Sequence, residues 1–249
     1  MRPTAIQYAI WMLPPLLQCL VAVSMIRRGL WKRLPVFWCY TLFHILLAMV
    51  SYAASQMSYE AYFDVYWGAE CVDMLLTFMV IQELFQVVFS SYDRIGVLSR
   101  RLFRWTAVVM LAAAIGLGVA GGRGSESPLV DTFVALQRSV QILEIGTLFV
   151  LIVVCRIFGI VWQRFAFGIA VGLGLALSAE TAVSAMRTWM GSAGDGLYIW
   201  VEPMAYVAAT AVWAFYALSR DREPAPVASR ELRRQLGEWN HVLQHFLTR

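Results

Sequence analysis

Charged residues are scarce in this sequence, and their scarcity argues against a water-soluble fold. Only 14% of the 249 residues are Asp, Glu, Lys or Arg, whereas a soluble domain carries about 25%. Apolar residues make up 60% of the chain, and the mean hydropathy is +0.64. Runs of about 20 apolar residues, each long enough to cross a bilayer as a helix, recur along almost the whole chain. The composition therefore predicts a membrane protein with several spans.

Lysine, histidine and paired cysteines are also rare, which excludes several classes of membrane protein. The one lysine, Lys32, lies between the first two apolar runs, so no helix offers the lysine that a retinal Schiff base requires. His44 is the one histidine inside an apolar run, whereas a haem cytochrome with two histidine ligands needs more. The four cysteines lie singly in different runs without a C-x-x-C pair. We therefore expect no cofactor and no metal site.

Known catalytic motifs are missing as well. The chain has no P-loop, no H-E-x-x-H and no G-x-S-x-G, so no catalytic residue is predicted. The net charge of +4 comes from basic residues scattered through short loops. Membrane topology and anionic lipid headgroups explain such residues, and no nucleic-acid partner is expected.

Seven continuous apolar segments predict seven membrane-spanning helices. They are rich in Leu, Ala, Val and Met and lack the alternating pattern of about ten residues that marks a membrane barrel. The segments cover residues 5–26, 35–56, 63–90, 102–121, 131–155, 165–187 and 197–219. The sequence thus predicts an all-α integral membrane protein, with a seven-helix membrane domain over residues 1–220 and a cytoplasmic tail over residues 221–249.

The basic residues predict the orientation of this bundle. In the seven-helix frame 16 of the 20 lie on one side: Arg27, Arg28, Lys32, Arg33, Arg94, Arg100, Arg101, Arg104, Arg156, Arg164, Arg220, Arg222, Arg230, Arg233, Arg234 and Arg249. Cytoplasmic loops carry the excess of Lys and Arg in membrane proteins. We therefore expect an external N-terminus, a cytoplasmic C-terminus and a multi-pass protein of the cytoplasmic (inner) membrane.

The tail changes character after the sequence Pro-Ala-Pro at 224–226 and predicts an amphipathic helix over residues 229–249. Its apolar residues recur at helical spacing: Leu232, Leu236, Trp239, Leu243, Phe246 and Leu247. A helix with arginines on the opposite face is typical of a segment that lies on the inner leaflet. The alternative is a helix that packs against the bundle, a second copy of the chain or a cytoplasmic partner.

Ionisable and polar residues inside the spans form the most informative pattern. A charge at the bilayer centre costs about 2.5–3.5 kcal/mol, so such groups face the bundle interior and mark function. Counted at 1.5 Å per residue, most of them lie roughly 10–15 Å from the predicted outer surface. We predict an outward-facing pocket for a ligand or protons, formed by Tyr66, Glu70, Asp73, Arg138, Gln141, Glu180, Ser184, Arg187, Glu202 and Tyr206.

The predicted pocket has an excess of acids. Four carboxyl groups stand against Arg138, while Arg187 is close enough to the surface to reach it. Either some of these groups are protonated, or a cation or basic ligand supplies the missing charge. The alternative is an arginine–carboxylate network that locks the helices together.

Three further residues in the spans, His44, Glu83 and Glu144, could form an inner proton relay. The alternative for His44 is a hydrogen-bonded packing residue. Three glycines in the sixth predicted span, Gly168, Gly172 and Gly174, allow close approach of helices. Packing inside the bundle or a homodimer contact would account for them.

Four functions are compatible with these features. The leading hypothesis is a sensor or receptor-like module that binds a small polar or cationic ligand in the outer half of the bundle. A proton-coupled transporter or channel would use the same carboxyl groups. The remaining two are a membrane enzyme that acts on a lipid or quinone, and an accessory subunit whose charges are structural.

Overall fold

The computed structural model describes residues 5–89, 128–157, 160, 162–190 and 195–219. Six long helices make up nearly all of this part of the chain, which contains no strand. They are α1 (Ala5–Arg27), α2 (Pro35–Met57), α3 (Tyr59–Val88), α4 (Pro128–Ile157), α5 (Arg164–Met190) and α6 (Asp195–Leu218). Each is long and apolar enough to cross a membrane, as expected of a multi-pass membrane protein.

These helices correspond to six of the seven predicted spans. The largest difference lies at the start of α3, which begins at Tyr59 rather than at residue 63. The all-helical membrane architecture is therefore confirmed for the described residues. The predicted span 102–121 and the predicted tail helix 229–249 lie outside them, so the count of seven helices stays a prediction.

A tight turn joins α1 to α2. Gly29 has a φ of 67°, in the left-handed region that glycine adopts without the steric cost of a Cβ, directly after the end of α1. A single 3-10 turn, Leu30–Lys32, follows. Pro35 then begins α2, at a position where the missing N–H would have no partner within the helix.

The six described helices pack as a closed ring in chain order. Each contacts the next, α6 closes the ring against α1, and α3 also contacts α5 across the middle. Phe37 at the start of α2 makes edge-to-face contacts with Phe165 of α5 and Trp213 of α6, at ring distances of 5.9 and 5.4 Å. These three buried rings form an aromatic core at the end of the bundle where α1 ends and α2 begins.

Polar contacts fasten the same end. The Arg28 Nη1 donates to the carbonyl oxygens of Ala217 and Ser219, both at 2.7 Å. The Ser24 hydroxyl also donates to the Ala217 carbonyl at 2.7 Å. The last carbonyls of a helix lack partners within it, and a cation placed there complements the helix dipole. These contacts tie α1 to the end of α6.

A carboxylate fastens α2 to α3 at this end. The two oxygens of Glu83 accept hydrogen bonds from the backbone N–H groups of Val36 and Phe37, at 2.8 and 2.9 Å. The first N–H groups of a helix have no intrahelical acceptor, and a negative charge is favourable beside them. Glu83 therefore caps α2 from the neighbouring helix.

The outer surface of the ring is apolar. Many large hydrophobic side chains are more than half exposed along the middle of the helices, among them Leu16, Leu46, Met49, Leu75, Phe149 and Phe215. Soluble proteins rarely expose contiguous apolar surface on this scale. Hydrocarbon is its natural surrounding, which agrees with membrane-spanning helices.

Two glycines bring α5 and α6 into close contact. A Cβ at Gly172 would overlap the Trp213 indole, and one at Gly168 would overlap the Tyr216 ring. The close approach lets the Trp213 Nε1–H donate to the Ile169 carbonyl at 3.3 Å. The packing role predicted for Gly168 and Gly172 is confirmed, whereas a Cβ at Gly174 would meet no atom within 4 Å.

Gly172→Ala is expected to lower the free energy of unfolding by about 1–3 kcal/mol, because the added methyl must displace a buried indole. Gly174→Ala is the matched control, since its site is open and alanine favours a helix by about 1 kcal/mol over glycine. Chemical unfolding in detergent micelles, followed by tryptophan fluorescence, measures both. Equal destabilisation of the two variants would contradict the packing role of Gly172.

Candidate functional site

A cavity of about 510 Å³ lies at the end of the bundle opposite the aromatic core. Three carboxyl groups line it, each from a different helix: Glu70 from α3, Glu180 from α5 and Glu202 from α6. Tyr66 and Tyr206 line it as well. The structure thus brings five of the predicted site residues to one cavity.

A second, smaller cavity of about 210 Å³ adjoins the first, because His44, Glu70, Glu180 and Tyr206 line both. It extends towards the middle of the bundle and adds Asp73 to the lining. We refer to the two together as the acidic cavity. Its described lining residues include no Lys and no Arg.

Two glutamines on α4 hold two of the carboxyl groups. The Gln137 Nε2 donates to the Glu70 Oε2 at 2.8 Å, and the Gln141 Nε2 donates to the Glu180 Oε2 at 2.8 Å. Residues four apart share one helix face, so α4 presents both amides towards α3 and α5. An amide is a neutral donor. It orients a carboxylate but leaves its negative charge in place.

His44 lies beside Asp73. The His44 Nε2 and the Asp73 Oδ1 are 2.8 Å apart, yet neither atom makes a hydrogen bond. The two atoms are therefore close enough for an ion pair, but their angles do not meet the requirement of a hydrogen bond. The imidazole also meets the ring of Tyr40 at 4.5 Å and that of Tyr206 at 5.5 Å.

Tyr206 connects α6 to α1. Its hydroxyl accepts a hydrogen bond from the Gln18 Nε2 at 2.5 Å, and Gln18 is buried. On the same stretch of α1, Pro14 and Pro15 line the acidic cavity. A proline within a helix supplies no N–H to the carbonyl four residues before it. The carbonyls of Ile10 and Trp11 are therefore without their usual helical donors.

The predicted inner residues fall in separate places. Glu83 caps α2 and has both oxygens occupied, while His44 contacts Asp73 rather than Glu83. Glu144 on α4 is only 2% exposed, and its Oε1 has no hydrogen-bond partner among the described residues. Glu144 does not line the acidic cavity, although Asp73 and Glu180 lie within electrostatic reach of it.

Three predicted site residues have no described side chain. The backbone of Arg138 belongs to α4, and that of Ser184 and Arg187 belongs to α5. Their side chains lie outside the part of the chain that the structure describes. The contacts predicted for the two arginines therefore stay predictions.

Sequence reasoning missed two polar residues of the site, Gln18 and Gln137. Each lies within an apolar segment, and Gln137 precedes Gln141 by one helical turn. An uncharged amide in a span is a weaker signal than a charge. Its position one turn from another predicted site residue could nevertheless have identified Gln137.

The described donors to the carboxyl groups of the acidic cavity are neutral. Glu70 and Glu180 receive amide groups from Gln137 and Gln141, which bring no positive charge. Among the described residues, no group of three or more His, Cys, Asp and Glu is arranged to hold a metal ion.

Comparison with known proteins finds no matching family model, no matching curated protein and no matching solved structure. No activity can therefore be transferred to this chain from a relative. The residues of the acidic cavity and their contacts are the basis on which a function is inferred.

Proposed function

We propose that this protein is a membrane-embedded sensor that binds a small organic cation in the acidic cavity. The observation that supports this proposal is the convergence of Glu70, Glu180 and Glu202 from three helices on one cavity. The volume of about 510 Å³ falls in the range of small-molecule sites. A metabolite-sized ammonium compound fits both the charge and the size.

Aromatic residues add to the attraction for such a ligand. Trp11, Tyr66, Trp200 and Tyr206 line the same cavity as the three carboxyl groups. Ring faces attract ammonium groups through their electrostatic quadrupole, and sites for quaternary ammonium compounds use such rings. Carboxylates and rings together favour an ammonium ligand over an inorganic cation.

The proposed topology places the acidic cavity in the outer half of the cytoplasmic membrane, within a bundle of seven helices whose N-terminus is external. The basic residues support it, because Arg28 and Arg33 lie at the opposite end of the bundle. The amphipathic helix proposed for residues 229–249 would report inside, on the inner leaflet or against a partner or second copy.

This topology is open to a direct check. A cysteine introduced in the α2–α3 turn by Ser58→Cys is expected to react with an impermeant maleimide added outside the cell. Arg33→Cys in the α1–α2 turn is the matched control and is expected to react after lysis only. Labelling of Arg33→Cys from outside would invert the proposed orientation.

Signal transmission requires that the ligand favour one arrangement of helices over another. In their charged forms, Glu70, Glu180 and Glu202 repel one another across α3, α5 and α6 when the cavity is empty. A cation between them removes that repulsion and draws the three helices together. The aromatic core and the Arg28 contacts hold the other end, so the change is largest around the cavity.

Tetramethylammonium is expected to raise the unfolding temperature of the wild type as its concentration rises, because a ligand that binds the folded state stabilises it. Glu180→Gln and Glu202→Gln each remove one charge from the cavity. A quaternary ammonium ion has no N–H to donate, so each variant removes a Coulomb attraction rather than a hydrogen bond, and we expect each to weaken binding by about ten- to hundredfold, the lower end of the coupling between close charge pairs. Thermal unfolding in lipid nanodiscs measures the dependence on ligand concentration.

Glu83→Gln is the matched control for these two variants. It also removes a carboxylate from a span, but the lost charge caps α2 and does not line the acidic cavity. We expect a less stable protein with the same response to tetramethylammonium. An unfolding temperature of the wild type that does not change with tetramethylammonium concentration would contradict the sensor hypothesis. It would favour the accessory subunit whose charges are structural.

Glu144 favours a second candidate, a proton-coupled transporter. Its carboxyl group is buried and has an oxygen without a hydrogen bond, as expected of a group that takes up and releases a proton. In liposomes, the transporter predicts that a tetramethylammonium gradient changes the internal pH and that Glu144→Gln abolishes this change. The sensor predicts binding without any change in internal pH, in the wild type and in Glu144→Gln.

The other two candidates lack such a specific observation. A lipid- or quinone-acting enzyme would show turnover that Asp73→Asn removes without loss of binding. An accessory subunit with structural charges would bind no tetramethylammonium, and neutralising single carboxyl groups of the cavity would lower its free energy of unfolding.

A further inference from the structure

A third cavity, of about 870 Å³, forms a groove on the membrane-facing side of α1 and α2. Its lining is largely apolar and includes Met12, Leu16, Cys19, Ile45 and Met49. All five of these side chains belong to the exposed or half-buried surface that contacts hydrocarbon in a membrane-spanning bundle. We refer to this cavity as the lipid-facing groove.

The groove and the acidic cavity share a wall. Trp11, Pro15 and Ala48 line both cavities, with Trp11 and Pro15 on α1 and Ala48 on α2. The two cavities therefore lie on the two sides of one gap between these helices. An apolar surface that is open to the bilayer thus adjoins a set of three carboxyl groups.

From this arrangement we propose that the ligand is a single-chain amphiphile with an ammonium head. It reaches the acidic cavity from the bilayer, between α1 and α2, and leaves its hydrocarbon tail in the lipid-facing groove. This inference rests on the proposed function, because it names the class of the cation and its route.

The head carries an ammonium group and no phosphate. Glu70, Glu180 and Glu202 attract an ammonium group but repel a phosphate, and the described lining offers no Lys or Arg to receive one. Ordinary phospholipids have a phosphate next to the amine. The acidic cavity therefore discriminates against the headgroups of the bulk membrane.

The groove accommodates a chain of several methylene groups. Trp11 at the shared wall and Cys19 in the groove are eight residues apart on α1, which is about 12 Å along the helix axis. Each methylene group that leaves water for an apolar contact improves binding by roughly two- to fourfold. Affinity should therefore rise with the length of the tail as long as the groove is open.

The test is competition of alkyltrimethylammonium compounds against labelled tetramethylammonium on the full-length protein in nanodiscs. The series runs from ethyl through butyl and hexyl to octyl. For the wild type we expect affinity to rise at each step, by roughly two- to fourfold per added methylene group. Octylphosphocholine, which has the same tail next to a phosphate, is expected to compete no better than the ethyl compound.

Cys19→Trp fills the lipid-facing groove and leaves the acidic cavity unchanged, because Cys19 lines the groove but not the acidic cavity. In this variant we expect unchanged tetramethylammonium binding and a weaker dependence of affinity on tail length than in the wild type. The dependence that remains comes from transfer of the tails into the nanodisc lipid, which all variants share. Leu20→Trp is the matched control. Leu20 is the next residue on α1, is exposed and lines none of the three cavities, so the wild-type dependence should persist.

The outcomes separate the two proposals. In one outcome tetramethylammonium binds, and the affinity of the alkyltrimethylammonium series depends on tail length in the same way in wild type, Cys19→Trp and Leu20→Trp. This result would overturn the tail site in the lipid-facing groove and leave the sensor proposal intact. Competition by octylphosphocholine as strong as that of octyltrimethylammonium would also overturn the groove proposal, because the groove would then hold the chains of ordinary lipids. Absence of any tetramethylammonium binding would refute the sensor itself, and with it the proposed route.

Discussion

Hydrocarbon supplies no hydrogen-bond donors, so a carboxyl group in these helices depends on donors inside the protein. Glu83 receives two backbone N–H groups at the start of α2 and thereby fastens two helices. Glu70 and Glu180 receive amides from α4 instead. A neutral amide satisfies an oxygen of the carboxyl group and brings no positive charge into the acidic cavity.

The bundle is divided into a packed end and a polar end. At the packed end Phe37, Phe165 and Trp213 interlock, and Arg28 binds the last carbonyls of α6. At the polar end several helices present side chains to a cavity rather than to one another. Interiors that are well packed resist deformation, so in the proposed sensor a ligand at the polar end would change the spacing of helices there while the packed end holds their register.

The balance of charge distinguishes a binding site from a structural lock. A lock would pair each acid with a base, since leaving one partner of a buried pair alone is costly. In the described part of the spans, the carboxyl groups of the cavity have amides, a tyrosine and one imidazole as neighbours. The side chains of Arg138 and Arg187, the bases of the predicted lock, lie outside that part. In the proposed sensor, the carboxyl groups around the open cavity lower the stability of the empty protein, and a bound cation restores it.

The sequence by itself determined the helices and the depth of their polar residues, because apolar length sets a span and 1.5 Å per residue sets the height. It therefore placed Glu70, Glu180 and Glu202 at one level. Tertiary structure decided which residues are partners. His44 lies beside Asp73 rather than Glu83. Gly172, and not Gly174, packs against Trp213. The helical period fixes which residues share a face, but the rotation of each helix is set by packing against all its neighbours.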